Sequence, residues 1–414
     1  MAIIKAFKAV RPVSDLAVKV AALPYDVMDS QEARAMAEGN SYSFLHVDKA
    51  EIDLPLDVEI YSRPVYEKAA ENYKRFKNEG VFLQDLMPSL YIYQQTMVGR
   101  TQRGLVACVS VDDYLNNKIK KHELTRVDKE MDRTKHIEYC NANTGPIFLT
   151  YSSDSSVTQL LKTWAEKNQA LYDFTSEDKV RHQAWKIDQK DIVDQLVGLF
   201  RKINSLYIAD GHHRAASAVN VALKKRKEMT CYTGQEEFNY FLAVLFPHDD
   251  LEIMDYNRVI KDLGGLSEGE FMQKIKTRFE VEKAITKPFR PDHNRVFGMY
   301  FEGIWYRLTV KEGSYNDRDP VSGLAVSILQ NNLLEPALGI SDPRTDGRID
   351  FVGGIRGLEE LEKRVRKGAK VAFSLYPTTI EELMKIADAN RLMPPKSTWF
   401  EPKLRSGLFI HELD

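Results

Sequence analysis

Apolar positions along this 414-residue chain change spacing several times, and each change predicts an element. Over residues 61–78, Tyr66, Ala69, Ala70, Tyr73 and Phe76 fall three or four positions apart, and Gly80 follows. That spacing lines one face of a helix, which the glycine stops. Apolar runs at 90–94 and 104–111 flank a polar stretch around Gly99, predicting a β-hairpin. Short apolar runs at 3–9, 43–47, 147–151, 206–209 and 238–246 read as strands. Helical spacing begins at Ser30 and runs to near Gly39, and it returns at 157–167 and from about Ala215. Beyond a break at Gly264-Gly265 come strands at 295–300, 305–310 and 371–375 and helices at 321–334, 358–366 and 380–390. The last helix is preceded by two overlapping capping boxes, Thr378 with Glu381 and Thr379 with Glu382. The pattern is mixed α and β without a strict strand–helix–strand rhythm.

Charge narrows the function classes. Lys and Arg total 58 against 60 Asp and Glu, a net charge of −2. A duplex DNA binder working by phosphate neutralisation normally carries a basic surplus, so duplex DNA is a disfavoured partner. No apolar run approaches the roughly 18 residues that span a bilayer, so no membrane partner is expected. Cys108, Cys140 and Cys231, spaced 32 and 91 apart, match no disulfide or zinc framework. So sparse a set points to a reducing, cytoplasmic location.

Three segments carry candidate chemistry. In the first, the strand at 206–209 runs into Asp210-Gly211-His212-His213-Arg214 and then an alanine-rich helix. Gly211 permits unusual backbone angles, and the first amides of a helix favour an anion. Arg214 adds a fork that suits phosphate. Asp210 serves equally well as a helix cap. The adjacent His212 and His213 face opposite sides in an extended segment, which disfavours their sharing one metal.

In the second segment, residues 117–136 hold seven Lys and Arg against four Asp and Glu. Glu123 is a candidate general base and His122 a candidate donor to an oxyanion, with Arg126 and Arg133 to neutralise phosphate. The plain alternative is a solvated helix laced by ion pairs. The order His122-Glu123-Leu124-Thr125 lacks the second histidine of the zinc motif HExxH.

The third segment, 391–405, has four cations and one acid. Lys396, Ser397, Thr398, Lys403 and Arg405 offer phosphate donors there. Tyr25-Asp26, after Pro24, presents a candidate substrate-binding acid at a turn. No GxxxxGK[ST] loop occurs, and Gly353-Gly354-Ile355-Arg356-Gly357 lacks dinucleotide spacing.

The strand–DGHHR–helix unit resembles the phosphate-cradling turn of the ParB/sulfiredoxin-like superfamily. AALPYDV (21–27), NSYSFLHV (40–47), HELTRVDKEMDR (122–133), NANTGPIFLTY (141–151), YIADGHHRAA (207–216) and MPPKSTWFEPKLRSGL (393–408) resemble the family called domain of unknown function 1015. The superfamily resemblance implies an α+β fold with a ParB/sulfiredoxin-like mixed core and inserted segments. Its first domain would span 1–260, with an inserted hairpin and charged segment at 84–150. A C-terminal α/β domain would span 261–414, its tail completing the site.

Free-serine kinases of that superfamily imply a nucleotide-dependent phosphotransferase acting on a small hydroxyl metabolite, serine or a relative. Its cofactor would be a nucleoside tri- or diphosphate with Mg²⁺. The turn residues Asp210, Gly211, His212, His213 and Arg214 would hold the phosphates. The alternatives are a phosphatase or nucleotide hydrolase of the same fold, or a non-enzymatic nucleotide-binding or ParB-like partitioning protein. Sulfiredoxin chemistry needs a cysteine in the turn, and this turn has none.

Overall fold

The computed structural model describes residues 2–316 and 318–414. The chain forms two compact units, Met1–Leu251 with Pro402–Asp414, and Glu252–Glu401. The division thus falls at 251/252 rather than 260/261, and the tail belongs to the first unit.

The first unit is built on a nine-stranded mixed sheet. Its central strand, Tyr240–Pro247, is buried at every position, as expected for a strand covered on both faces. It pairs antiparallel with Arg100–Ser110 and parallel with Ile147–Tyr151. The predicted hairpin is Leu90–Met97 with Arg100–Ser110. At the other end, Leu206–Asp210 pairs antiparallel with Ile147–Tyr151 and parallel with the two-residue strand Ile119–Lys120. Strands Tyr172–Thr175 and Arg181–Ile187, which the apolar pattern did not reveal, extend the hairpin edge.

Helix Arg63–Asn78 buries Tyr66, Ala69, Tyr73 and Phe76, as its spacing predicts. The run at 43–47 is not a strand: Leu45–Asp48 is a helical turn whose Leu45 and Val47 are buried with Phe44. Four or five apolar residues cannot by themselves distinguish the two periods. Basic residues 224–227 lie in the last turns of helix His212–Glu228, where Lys224 meets Glu138 at 2.7 Å and Arg226 meets Asp112 at 2.7 Å.

The tail closes the first unit. Val10 and Ile410 exchange backbone hydrogen bonds of 3.0 and 2.9 Å, and His411–Glu412 pairs with Ala142–Asn143. Gly407 has φ +84°, and a Cβ there would stand 2.6 Å from Phe44 Cγ, so only glycine lets the tail pass.

The second unit carries a six-stranded sheet whose pairs all run antiparallel. It is therefore α+β, not the α/β domain expected for 261–414, because direct antiparallel pairing replaces parallel crossovers. The predicted helix at 321–334 is Ala325–Leu329 continued by a wider turn, Gln330–Leu334, and by Glu335–Leu338. Of the two capping boxes, Thr379 with Glu382 is the one that forms. Among the described residues, no helix is long and apolar enough to cross a membrane.

Candidate functional site

The parallel pair Ile119–Lys120 and Leu206–Asp210 sets the site. Tyr207 stands opposite Lys120, so the chain leaves both strands at the same edge. His122 and Glu123 follow one strand, and Gly211 and His212 follow the other. The His122 and His212 rings lie 4.5 Å apart at 88°. His212 Nδ1 is 4.0 Å from Glu123 Oε2. One donor atom from each of His122, Glu123 and His212 lies within 4.8 Å of the others, a group able to hold a metal ion.

Both histidines are buried, at 1% and 6% exposure. Burial pushes His122 down to about 4, against the pull of the Asp210 charge. Burial also drives His212 well below the usual histidine range, with His122 adding to it. Both rings are therefore neutral at neutral pH. Among the described residues, neither ring nitrogen of His122 nor Nε2 of His212 has a hydrogen-bond partner. The Ile208 carbonyl acts on the His122 ring without reaching hydrogen-bond geometry. Each buried polar atom left unmet costs about 1–3 kcal/mol.

Helix His212–Glu228 begins at Gly211, φ +93°, and no side chain caps it. A Cβ on Gly211 would lie 3.1 Å from the Arg214 guanidinium, so the glycine serves both the turn and this close approach. Asp210 is not the cap. It faces Arg214 Nη2 at 3.3 Å and Lys403 Nζ at 3.8 Å. Burial pushes its carboxyl up, but Lys403, Arg214 and His212 outweigh that and hold it low.

Arg214 also donates to the Pro146 carbonyl, while its Nε has no partner. Burial opposes its charge, and Asp26, Asp210 and Tyr25 restore it. Behind it lies a cavity of about 20 Å³ lined by Tyr25, Asp48, Arg133, Thr144, Gly145 and Arg214, among others, room for about one water. The Arg133 guanidinium stacks 4.1 Å from the Tyr25 ring centre and pairs with Asp132 at 2.8 Å. Thr144 donates to Asp48 at 2.8 Å. A roomier recess, about 580 Å³, is lined by Lys225, Glu228, Glu236 and Asp414 and contains none of these groups.

His122, Glu123 and His212 thus meet in one group and Asp210, Gly211, Arg214 and Lys403 in a second, the Asp210 charge acting on both histidines, and Tyr25 and Arg133 line the adjoining cavity. Asp26 is exposed, but its charge acts on both His213 and Arg214. His213 turns away from His212: its Nε2 accepts from the Arg126 amide at 3.0 Å and pins the 121–126 loop. That bond needs the neutral ring, and burial lowers the His213 pKa accordingly. The Arg126 side chain is mostly exposed and pairs with Asp128 at 2.7 Å.

Arg405 lies in another cluster of the first unit, bonded to Asp178, Ser176 and His182. Lys396, Ser397 and Thr398 belong to the second unit. There the Lys396 carbonyl accepts from Arg258 at 3.0 Å and Ser397 donates to the Pro394 carbonyl at 2.6 Å. Asp48 lies outside every motif, and Asp132 and Thr144 lay inside the motif segments without a role of their own. Only the Thr144-Gly145-Pro146 break signalled that this strand entrance was special.

No curated protein matches the chain by sequence. Among solved structures, a free serine kinase variant with ADP aligns at 13% identity and TM-score 0.37, over 72% of this chain and 92% of its own. The free serine kinase with AMP gives 12% and 0.38, over 72% and 91%. A conserved hypothetical protein from Pyrococcus furiosus gives 14% and 0.35, over 73% and 94%. Likeness of this degree assigns this chain no activity. The sequence model of the family described as "Protein of unknown function (DUF1015)" matches residues 4–327, most of the chain, and the chain therefore belongs to that family.

Proposed function

We propose that the protein transfers a phosphoryl group from a nucleotide to a small hydroxyl metabolite at the end of strand Leu206–Asp210. One observation carries this reading. The buried Arg214 guanidinium, with an unpartnered Nε, lies against the uncapped start of a helix whose first residue, His212, faces Glu123 Oε2 at 4.0 Å. Uncapped amides and a guanidinium fork are the groups that hold phosphate oxygens. The strand–DGHHR–helix unit acts in this reading as a ParB/sulfiredoxin-like cradle. Resemblance to free-serine kinases names serine or a related hydroxyl compound as the acceptor. Asp210, kept ionised by its neighbours, is the oxygen donor suited to the Mg²⁺ that accompanies a nucleotide.

In the step itself, the acceptor oxygen bonds to the terminal phosphorus. The bond from that phosphorus to its bridging oxygen breaks, and the electron pair stays on the nucleotide. Glu123 takes the acceptor's proton, while Arg214 and Lys403 offset the charge on the moving group.

The test is an assay of the purified chain with ATP or ADP, Mg²⁺ and serine, following phosphorylated acceptor and free phosphate separately. Phosphorylated acceptor supports the transfer. Free phosphate alone assigns hydrolysis instead. If neither product forms and no nucleotide raises the melting temperature, the reading fails.

A further inference from the structure

We infer that His122, Glu123 and His212 bind a divalent transition-metal ion of the zinc or cobalt class, at a place distinct from any Mg²⁺ carried by a nucleotide. The donors are two imidazoles and one carboxylate, all within 4.8 Å of one another. Two independent observations point to a ligand. The His122 and His212 rings meet edge to face at 4.5 Å, and three of their buried nitrogens have no partner. A pair of histidines serving only to fill the core would turn its ring N–H groups toward acceptors. These rings instead keep their nitrogens open beside a carboxylate.

The donor chemistry selects the ion. Mg²⁺ takes oxygen ligands and gives up its waters reluctantly, whereas imidazole suits zinc and its neighbours. Ligands around a tetrahedral zinc ion, at about 2.0–2.1 Å, stand about 3.4 Å apart, so binding draws the donors inward by up to about 1.4 Å. Glu123 supplies that movement, since its side chain is 44% exposed while the histidines are fixed by burial. Three protein ligands leave a coordination position for water or substrate, as in catalytic rather than structural zinc sites. An ion there lowers the pKa of a bound hydroxyl group. With the ion in place Glu123 is a ligand rather than a proton acceptor, so the two roles are alternative states of one carboxylate.

The experiment titrates the full-length chain, stripped with a chelator and without nucleotide, with zinc alone and with cobalt alone. One ion should bind per chain, and cobalt should develop the visible absorption of a low-coordinate nitrogen–oxygen site. Removing even an outer-shell partner weakens metal affinity by about 10–100-fold, so Glu123→Gln should lose at least about tenfold. His212→Asn should lose more, with circular dichroism confirming the fold. Glu123→Gln keeps the test decisive should His212→Asn fail to fold, because the glutamate is half-exposed. Failure of the wild-type chain to bind either ion overturns the inference, as does unchanged affinity in Glu123→Gln. The titration contains no nucleotide, so ion binding leaves this inference standing even where the separate assay finds neither product and no nucleotide-dependent rise in melting temperature, the outcome that ends the transfer reading. Transfer without zinc or cobalt binding does the reverse.

Discussion

His122 and His212, ninety positions apart in the chain, stand ring edge against ring face at 4.5 Å. The cause is the short parallel ladder in which Ile119 faces Leu206 and Lys120 faces Tyr207. Parallel strands deliver their exits to one sheet edge, where functional groups of α/β and mixed sheets commonly collect. Two residues past each strand, the chain places a histidine.

Glu123→Gln should lower kcat for phosphoryl transfer by about 10²–10⁴-fold, the usual contribution of a positioned general base. KM for the nucleotide should stay near its wild-type value. Steady-state kinetics with the acceptor saturating checks this, and unchanged kcat removes Glu123 as the base.

Arg214→Lys keeps a cation but loses the planar fork that reaches both Asp210 and the Pro146 carbonyl. Losing a charge-assisted hydrogen bond worth about 1.5–3 kcal/mol should raise the nucleotide Kd by about tenfold or more. Isothermal titration measures it, and equal affinity would show that the phosphates bind elsewhere.

Gly211→Ala forces an L side chain into φ +93° with its Cβ 3.1 Å from the Arg214 guanidinium. Left-handed backbone costs an L residue about 1–2 kcal/mol, so urea unfolding should show at least that loss. Nucleotide affinity should fall with it as Arg214 shifts. A variant as stable as wild type would mean that the turn adopts another conformation.

Acid should weaken the first unit through His182. Burial, aided by the Arg405 charge, pushes its pKa down to about 3, against the pull of Asp178. The neutral ring bonds Tyr93 at 2.7 Å and Ser176 at 3.0 Å. The unfolded chain takes up a proton below pH ~6.5, while the folded chain resists until near 3. The stabilisation is therefore whole above pH ~6.5 and drains away as pH falls, by about 3 kcal/mol at pH 4. Denaturant midpoints from pH 7 to 4 should fall less steeply in His182→Gln, and parallel slopes would contradict the assignment.

The elements with long or strongly alternating patterns were readable: helix Arg63–Asn78, the Leu90–Ser110 hairpin and strand Ile147–Tyr151. Helix His212–Glu228 starts three residues before the expected Ala215, because Gly211 holds the cap position by backbone angle alone. The usual cap signal, Asp210, is engaged by Lys403 and Arg214. Each motif of the site was visible singly. Their meeting was not, since it depends on a two-residue parallel ladder too short to show any period. Arg126 and Arg405 looked equal to Arg214 as phosphate ligands. Asp128, two residues on, holds Arg126, a local pairing that the alternative of a helix laced by ion pairs allowed for; Asp178 holds Arg405 from 227 positions away, which leaves no local trace.

The tail that carries Lys403 is separated from the rest of its unit by the whole of Glu252–Glu401. On a ribosome adding about 5–20 residues per second, the first unit therefore waits roughly 8–30 s before the segment bearing its last cation emerges. During that interval Asp210 lacks Lys403, and Val10 lacks the backbone partner that Ile410 brings. Synthesis order thus imposes a schedule: the second unit can fold first, and the sheet edge that carries the candidate site is finished last.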